Sequence, residues 1–167
     1  MMKYMNIDWN VIITGLLAPV AVLIIKTILD FKLAPLFVKY FWWIPVRGMF
    51  RAKPINISGK WEQIWESAGS LGFSQSSQRH SHPVIRQFGS YCYTEFESKS
   101  KTYVVFGKIV NDYLVGDWFD KDDESGYFGT FQLQIIDASS MKGRWIGHSK
   151  TKHEVKGDEW NWNKMKG

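Results

Sequence analysis

A run of 19 residues, Val11–Leu29, holds a single charged side chain, Lys26, close to its C-terminal end. As a helix that rises about 1.5 Å per residue, the run would span about 28 Å, close to the thickness of the hydrocarbon core of a bilayer. The amine of Lys26 can extend to the interface, and Pro19 is tolerated in a membrane helix. The alternative is a cleaved signal peptide, but the run is long for one and lacks a clear small-x-small cleavage site. We therefore expect a transmembrane helix.

A second apolar and aromatic segment, Leu33–Phe50, is interrupted by Lys39 and two prolines. Its pair Trp42 and Trp43 is typical of the headgroup region. Either the segment is a short second span, which would make a hairpin with the first, or it is an interfacial helix. The hairpin is favoured because it puts Lys3 on the same side as the basic residues at 47, 51 and 53, which the positive-inside tendency makes cytoplasmic. The rest of the chain would then be cytoplasmic too.

The charge is concentrated beside the apolar segments. Residues 1–50 contain five basic and two acidic side chains, whereas residues 51–167 contain 16 basic and 14 acidic ones. The second part is therefore nearly neutral, which argues against DNA or RNA as a partner. The single cysteine, Cys92, excludes an intrachain disulfide and suits a reducing cytosol.

From Ile55 onward apolar and polar residues alternate with a period of two, which is typical of half-buried strands. Short turn-like segments separate the strand candidates, and Gly89 is expected to bend or split the second one. The candidates are 56–66, 84–97, 102–110, 113–119, 127–136, 142–149 and 159–164. Successive strands with short links predict an all-β fold, a small antiparallel up-and-down β-barrel of about eight strands, because closure removes exposed edges. The predicted domains are a membrane segment, 1–54, and a cytoplasmic barrel, 55–167.

Strand parity predicts which side chains fill the barrel. Trp61, Gln63 and Trp65 share one face of the first strand, whereas charged residues occupy the other, so the tryptophan face is expected inside. The pattern Gly-x-Trp occurs at 59–61, 116–118 and 143–145. A glycine two residues from an indole on the same face relieves crowding in a small, curved barrel.

No catalytic constellation stands out, so the sequence predicts neither an enzyme nor a cofactor. His80-x-His82 has metal-ligand character, but it lies in the long Ser- and Gly-rich segment 67–82 with no acid or cysteine beside it in the sequence, so no metal site is predicted. The segment itself is expected to be irregular, as a lid or a flap. The acidic stretch Asp120–Gly126 has the acid spacing of a calcium loop, but it lacks a glycine at the sixth position and the distal glutamate. It is therefore predicted to be an acidic hairpin tip.

The order of these features resembles a known family. Two apolar N-terminal segments precede Gly59-Lys60-Trp61 and Arg86-Gln87-Phe88-Gly89, and the remaining motifs follow in order: Phe106–Ile109, Leu114–Trp118, Gly126–Gly129, Met141–Trp145 and Trp160–Trp162. Together they resemble the two-transmembrane, β-strand-rich effectors of bacterial cyclic-oligonucleotide-based antiphage signalling (CBASS). The resemblance covers nearly the whole chain and rests on the order of loose motifs.

The resemblance implies a cytoplasmic barrel that binds a cyclic dinucleotide, self-associates into a homo-oligomer and disrupts the lipid bilayer, which kills the infected cell. A related arrangement would use the nucleotide to hold the effector inactive. A membrane-anchored, lipocalin-like module for an apolar ligand is the alternative function, and an envelope protein with a filled barrel and no ligand is a third. An interior with arginine and glutamine beside the indoles would favour the nucleotide, and an all-apolar interior would favour the lipocalin-like module.

A cyclic dinucleotide presents two phosphates and two flat bases, so its site needs cations and aromatic platforms close together. Residue type and strand parity predict three roles. Arg86 and Arg144 are the candidates for the phosphates. The candidates for base stacking are Tyr91, Tyr103 and Trp118, and those for hydrogen bonds to base edges are Gln87, Thr130 and Gln132.

Overall fold

The computed structural model describes residues 15, 17, 19–24, 33–45, 54–69, 73, 75–123, 126–148 and 154–166. The chain divides into two compact units, Met1–Leu36 and Phe37–Gly167. In the first unit, the described residues 15, 17 and 19–24 are helical and exposed. The remainder of the predicted transmembrane helix Val11–Leu29, including Lys26, lies outside the described residues, as do the basic residues at 47, 51 and 53. Over the part of the chain that can be described, no helix combines the length and the apolar character needed to cross a membrane.

The second unit is a closed, antiparallel barrel, which confirms the predicted all-β fold. Its strands are β1 (Gly59–Trp65), β2 (His80–Ser81), β3 (Val84–Phe88), β4 (Tyr91–Ser98), β5 (Lys101–Val110), β6 (Tyr113–Asp120), β7 (Phe128–Asp137), β8 (Ser140–His148) and β9 (Val155–Lys164). From β3 to β9 each strand pairs with the next, and β1 closes the barrel by pairing with both β3 and β9. Eight strands thus form the closed sheet, and β2 is an additional short strand paired with β1.

Tight turns form where the sequence places glycine, asparagine or short polar residues. Gly89 has a φ of 60° between β3 and β4, so the predicted long second strand is indeed split there. Between β4 and β5, both Lys99 and Ser100 have positive φ angles, of 51° and 61°. This pair of left-handed residues gives the type of two-residue turn that matches the twist of a hairpin.

Large side chains fill the barrel interior. Trp61 and Gln63 are fully buried, which confirms the predicted inward face of the first strand. Gln63 is satisfied inside the core, because its amide accepts a hydrogen bond from the indole of Trp160 and donates one of 2.7 Å to Ser81 Oγ. The void between Ile85 and Trp162 has a volume of only about 10 Å³. The centre is therefore a packed core, as expected for a small barrel whose side chains fill it.

A short helix, Ala34–Phe41, lies within the second predicted apolar segment. Its Val38 is buried against the outer face of the barrel, beside Tyr93 on β4 and Val104 on β5. Lys39 Nζ lies 2.6 Å from Glu95 Oε1, also on the outer face of β4. We call this helix the docking helix. The compact unit that contains the barrel therefore begins at Phe37 and includes part of the segment 1–54.

The segment 67–82 is more ordered at its end than the sequence predicted. Ser76–Arg79 form a 3₁₀ turn and His80–Ser81 form strand β2. Composition did not predict this strand, because its two residues acquire hydrogen-bonding partners only from β1, some 17 residues earlier in the chain.

Candidate functional site

Five aromatic side chains lie at the end of the barrel where β1, β6 and β8 terminate. We call this group the aromatic mouth; it consists of Trp65, Phe73, Trp118, Tyr127 and Trp145. The ring centres of Trp65 and Trp145 are 5.7 Å apart, and those of Trp118 and Trp145 are 6.0 Å apart. Both pairs meet edge to face, the arrangement that aromatic quadrupoles favour. The rings are only partly buried, so the mouth exposes aromatic surface at its rim.

Glycines make room for the indole of Trp118. Trp118 pairs with Gly129 across β6 and β7, and Gly129 pairs with Gly147 across β7 and β8. A Cβ atom on Gly147 would lie 2.4 Å from Trp118 Cζ2, and one on Gly129 would lie 2.7 Å from Trp118 Nε1. The indole therefore lies over a pair of residues that must lack side chains.

Hydrogen bonds fix two of the three indoles. Trp118 Nε1 donates to the carbonyl oxygen of Ile146 at 3.1 Å, and Trp145 Nε1 donates to that of Glu66 at 2.9 Å. Trp65 Nε1 is buried and has no acceptor among the described atoms of the chain. An unsatisfied buried donor costs about 1–3 kcal/mol.

Lysine side chains from the β4–β5 turn lie at the same end of the barrel. Lys99 Nζ lies 4.4 Å from the centre of the Phe73 ring, and Lys101 Nζ lies 2.5 Å from Asp120 Oδ2. Asp120 is almost fully buried, and its hydrogen bond raises the pKa of Lys101. The mouth therefore combines flat aromatic faces with two ammonium groups, of which that of Lys101 is ion-paired with Asp120.

Two of the eight residues predicted to bind ligand lie at or beside the aromatic mouth. Trp118 is a member of it, and Tyr103 lies below, with its ring centre 6.1 Å from that of Trp118. Tyr103 is buried and stacks on Phe96 in the core. Burial is the main cause that raises the pKa of the Tyr103 hydroxyl.

The other six predicted residues lie elsewhere. Gln87 is buried near the opposite end, and Arg86 and Tyr91 are on the outer face of β3 and β4. The remaining three form one exposed group on the outer face of β7 and β8, namely Thr130, Gln132 and Arg144. Since β9 and β1 separate β8 from β3 around the barrel, the structure does not bring the eight residues into one site.

Sequence reasoning missed most of the aromatic mouth. Trp65 and Trp145 were recognised as core residues, and Tyr127 began the predicted strand 127–136. Phe73 lies outside the strands, where parity gives no information. A further signal was that aromatic residues flank the polar segments 67–82 and 120–126.

A cleft of about 820 Å³ opens at the opposite end of the barrel. Its lining is formed by Pro54, Ile55, Ser90, Ile109, Asn111, Asp112, Gln134, Ile135 and Ile136. These residues include neither an aromatic ring nor a cationic side chain. The cleft therefore has the size of a ligand site, but its described lining lacks the cationic and aromatic side chains that bind a phosphate or a flat base.

Cys92 does not supply a nucleophile. It lies in the core, and burial raises the pKa of its thiol, so the sulfur stays protonated. A thiol in this environment behaves as a small apolar side chain.

No protein-family model matches the chain, and no curated protein matches it. Among solved structures, a redesigned beta barrel is similar, with 10% sequence identity and a TM-score of 0.48 over 66% of this chain and 92% of that one.

Proposed function

We propose that this chain is a membrane-anchored antiphage effector of the CBASS type whose barrel binds a cyclic dinucleotide at the aromatic mouth. The observation that supports it best is the juxtaposition at one barrel end of the aromatic mouth with Lys99 and Lys101. Indole faces stack on bases, and ammonium groups attract phosphates. The apolar segment Val11–Leu29 anchors the chain in the bacterial inner membrane, and the barrel is cytoplasmic.

The filled interior supports a ligand at the mouth rather than inside the barrel. The described interior is not all-apolar, because it contains the buried amides of Gln63 and Gln87. Among the described residues, no arginine is buried there. With a central void of about 10 Å³, an apolar ligand inside the barrel would have to displace core side chains such as Trp162. The lipocalin-like alternative therefore has less support than a ligand at the rim.

Ligand binding is coupled to self-association in this proposal. A cyclic dinucleotide has two similar halves, so a molecule stacked on one partly exposed mouth presents its second base and phosphate to another copy of the chain. A homo-oligomer formed in this way would gather the N-terminal apolar segments in the bilayer, and their assembly would disrupt the membrane. In the opposite mode of control, the nucleotide would hold the effector inactive.

Calorimetric titration of the purified full-length chain in detergent with a panel of cyclic dinucleotides tests the proposal. We expect one of them to bind, and we expect Lys99→Gln to weaken its binding by about 1.5–3 kcal/mol, the contribution of a charged hydrogen bond. Lys142→Gln is the matched control, since Lys142 is an exposed lysine on β8 whose nearest acid is Glu159, 3.7 Å away.

Arg144→Ala tests the sequence prediction for the outer face of β7 and β8. If this variant loses affinity and Lys99→Gln does not, the ligand binds that outer face and the mouth is not the site. If no cyclic dinucleotide binds the folded protein, the nucleotide proposal is wrong.

Toxicity in cells that make the ligand tests the direction of control. The variant that binds the ligand more weakly, expected to be Lys99→Gln, should be less toxic if the nucleotide activates the effector and more toxic if the nucleotide restrains it.

A further inference from the structure

Two histidines and a glutamate meet on the outer face of the barrel and are not part of the aromatic mouth. His80 Nε2 lies 2.7 Å from Glu62 Oε1, and the ring centres of His80 and His82 are 4.8 Å apart. One ligand atom from each of the three residues lies within 4.8 Å of the other two. The side chains of His80 and Glu62 are 38% and 39% exposed, so an ion from solvent can reach them.

Strand pairing holds this cluster together. β1 and β2 are antiparallel, with Ile64 opposite His80. Because side chains alternate along a strand, Glu62 lies on the same outer face as Ile64, and His82 lies on the same face as His80. A metal site built on paired strands is held more accurately than one on a free loop.

The inner face of the same strand pair is also fixed. Gln63 Nε2 donates a 2.7 Å hydrogen bond to Ser81 Oγ, between the two histidines, and Trp61 N donates to Pro83 O at 2.9 Å. Pro83 is buried. The backbone that carries the two imidazoles is therefore tied to β1 on both sides of Ser81, which leaves only side-chain rotation to adjust the three ligands.

We propose that Glu62, His80 and His82 bind a divalent transition metal ion, with Zn²⁺ as the best fit. Two imidazole nitrogens and one carboxylate form a ligand set used at zinc sites, and three protein ligands leave the fourth position for water. Bonds of about 2.1 Å in a tetrahedron put ligand atoms about 3.4 Å apart. The ligand atoms now lie within 4.8 Å of one another, and His80 Nε2 lies 2.7 Å from Glu62 Oε1. The most distant pair must therefore approach by at most about 1.4 Å, while His80 Nε2 and Glu62 Oε1 move about 0.7 Å apart. A hydrogen bond between His80 and Glu62 involves only two side chains. The imidazole of His82 beside them supplies the third ligand that a metal ion needs.

The bound ion would fasten the end of the segment 67–82 to the barrel wall. β2 has only two residues, and its pairing with β1 is correspondingly short. The same segment supplies Phe73 to the aromatic mouth. An ion that bridges β1 and β2 would therefore restrict the segment that forms one wall of the mouth.

The test uses the tag-free full-length chain in detergent, stripped with a chelator and titrated with Zn²⁺ alone. We expect one ion per chain and a higher unfolding temperature with zinc, because an ion that binds only the folded state stabilises it. Co²⁺ in place of Zn²⁺ should give the intense visible absorption of tetrahedral coordination. His82→Ala and Glu62→Gln should each weaken Zn²⁺ binding at least about tenfold, since each removes one of the three ligands.

His148→Ala is the matched control, because His148 is a histidine on β8 whose ring nitrogen contacts the carbonyl oxygen of Phe128. Its affinity for Zn²⁺ should equal that of the wild type. The proposal is overturned if folded wild-type protein binds no Zn²⁺ below 100 μM, a limit of about −5.5 kcal/mol. It is also overturned if the folded double variant His80→Ala, His82→Ala binds Zn²⁺ as tightly as the wild type.

Discussion

Gln87 shows how one side chain can close the end of a barrel. Its Nε2 donates to the carbonyl oxygens of Ile55 and Gly89, both at 2.9 Å, and its Oε1 accepts from Ile57 N at 2.9 Å. The amide thus ties the segment before β1 to the β3–β4 turn. Three backbone partners leave little capacity for a ligand, although the sequence predicted a base contact for this residue.

Replacing Gln87 with leucine should lower the free energy of unfolding by about 2–4 kcal/mol. The change leaves the buried amide of Ile57 without its acceptor, which costs about 1–3 kcal/mol, and it removes two further hydrogen bonds. Urea denaturation of the variant measures the loss. Gln134→Leu, on the exposed face of β7, should change stability by less than about 0.5 kcal/mol. Equal effects at the two positions would contradict the role of Gln87.

Strand parity predicted the inward face of individual strands but not which strands are neighbours. It placed Trp61 and Gln63 correctly inside, because alternation is a local property. The distance between Arg86 and Arg144 depends instead on how β1 closes the barrel between β3 and β9. Similarly, Glu62 reaches His80 only through the register of β1 with β2. Functional groups assembled across strands could therefore not be predicted from one sequence.

At the scale of elements, the docking helix is held by a charged cluster as well as by apolar packing. Glu95 accepts hydrogen bonds from Lys39, from the hydroxyl of Tyr93 and from Lys121. Desolvation by partial burial opposes ionisation of Glu95, but these hydrogen bonds outweigh it and lower the pKa to about 2. For Tyr93, burial and then the contact with Glu95 raise the pKa of the hydroxyl.

The lowered pKa of Glu95 makes the stability depend on acid pH. A carboxylate whose pKa is lower in the folded state stabilises the protein above its unfolded pKa, and that contribution is lost as pH falls through the folded pKa. The window therefore runs from the ordinary value of 4.5 down to about 2. Glu95→Gln should lower the stability at pH 7 and weaken the dependence on pH within this window.

Glu97→Gln is the control, since Glu97 lies two residues further along the same face of β4 and is exposed. Urea denaturation of both variants at several pH values between 2 and 7 gives the comparison. If the two variants show the same pH profile, the cluster around Glu95 does not stabilise the docking helix.

For the whole molecule, the barrel has two apolar surfaces: an inner one filled by its own side chains and an outer one against which the docking helix packs. The outer face of β3 to β6 has an apolar patch of its own, formed by Phe88, Tyr93, Val104, Phe106 and Phe119, and Val38 of the docking helix is buried against it. The apolar and aromatic composition of Leu33–Phe50 predicted a second span or an interfacial helix, both of which would contact the membrane. It could not distinguish apolar residues that meet lipid from those that meet the barrel, since both surfaces select the same side chains.

Removal of the docking helix should therefore change the solution behaviour of the barrel. A chain that begins at Pro54 should still fold as a β-rich domain, but with its outer patch uncovered, and exposed apolar patches promote self-association. We expect it to bind more of a hydrophobic dye and to sediment as oligomers at concentrations where a chain that begins at Leu33 is monomeric. Val104→Thr in the shorter chain should reduce the association, because it puts a hydroxyl into the patch.

If both chains are monomeric and bind the dye equally, the docking helix does not shield the barrel. If both associate equally and Val104→Thr has no effect, self-association proceeds through another surface, such as the aromatic mouth.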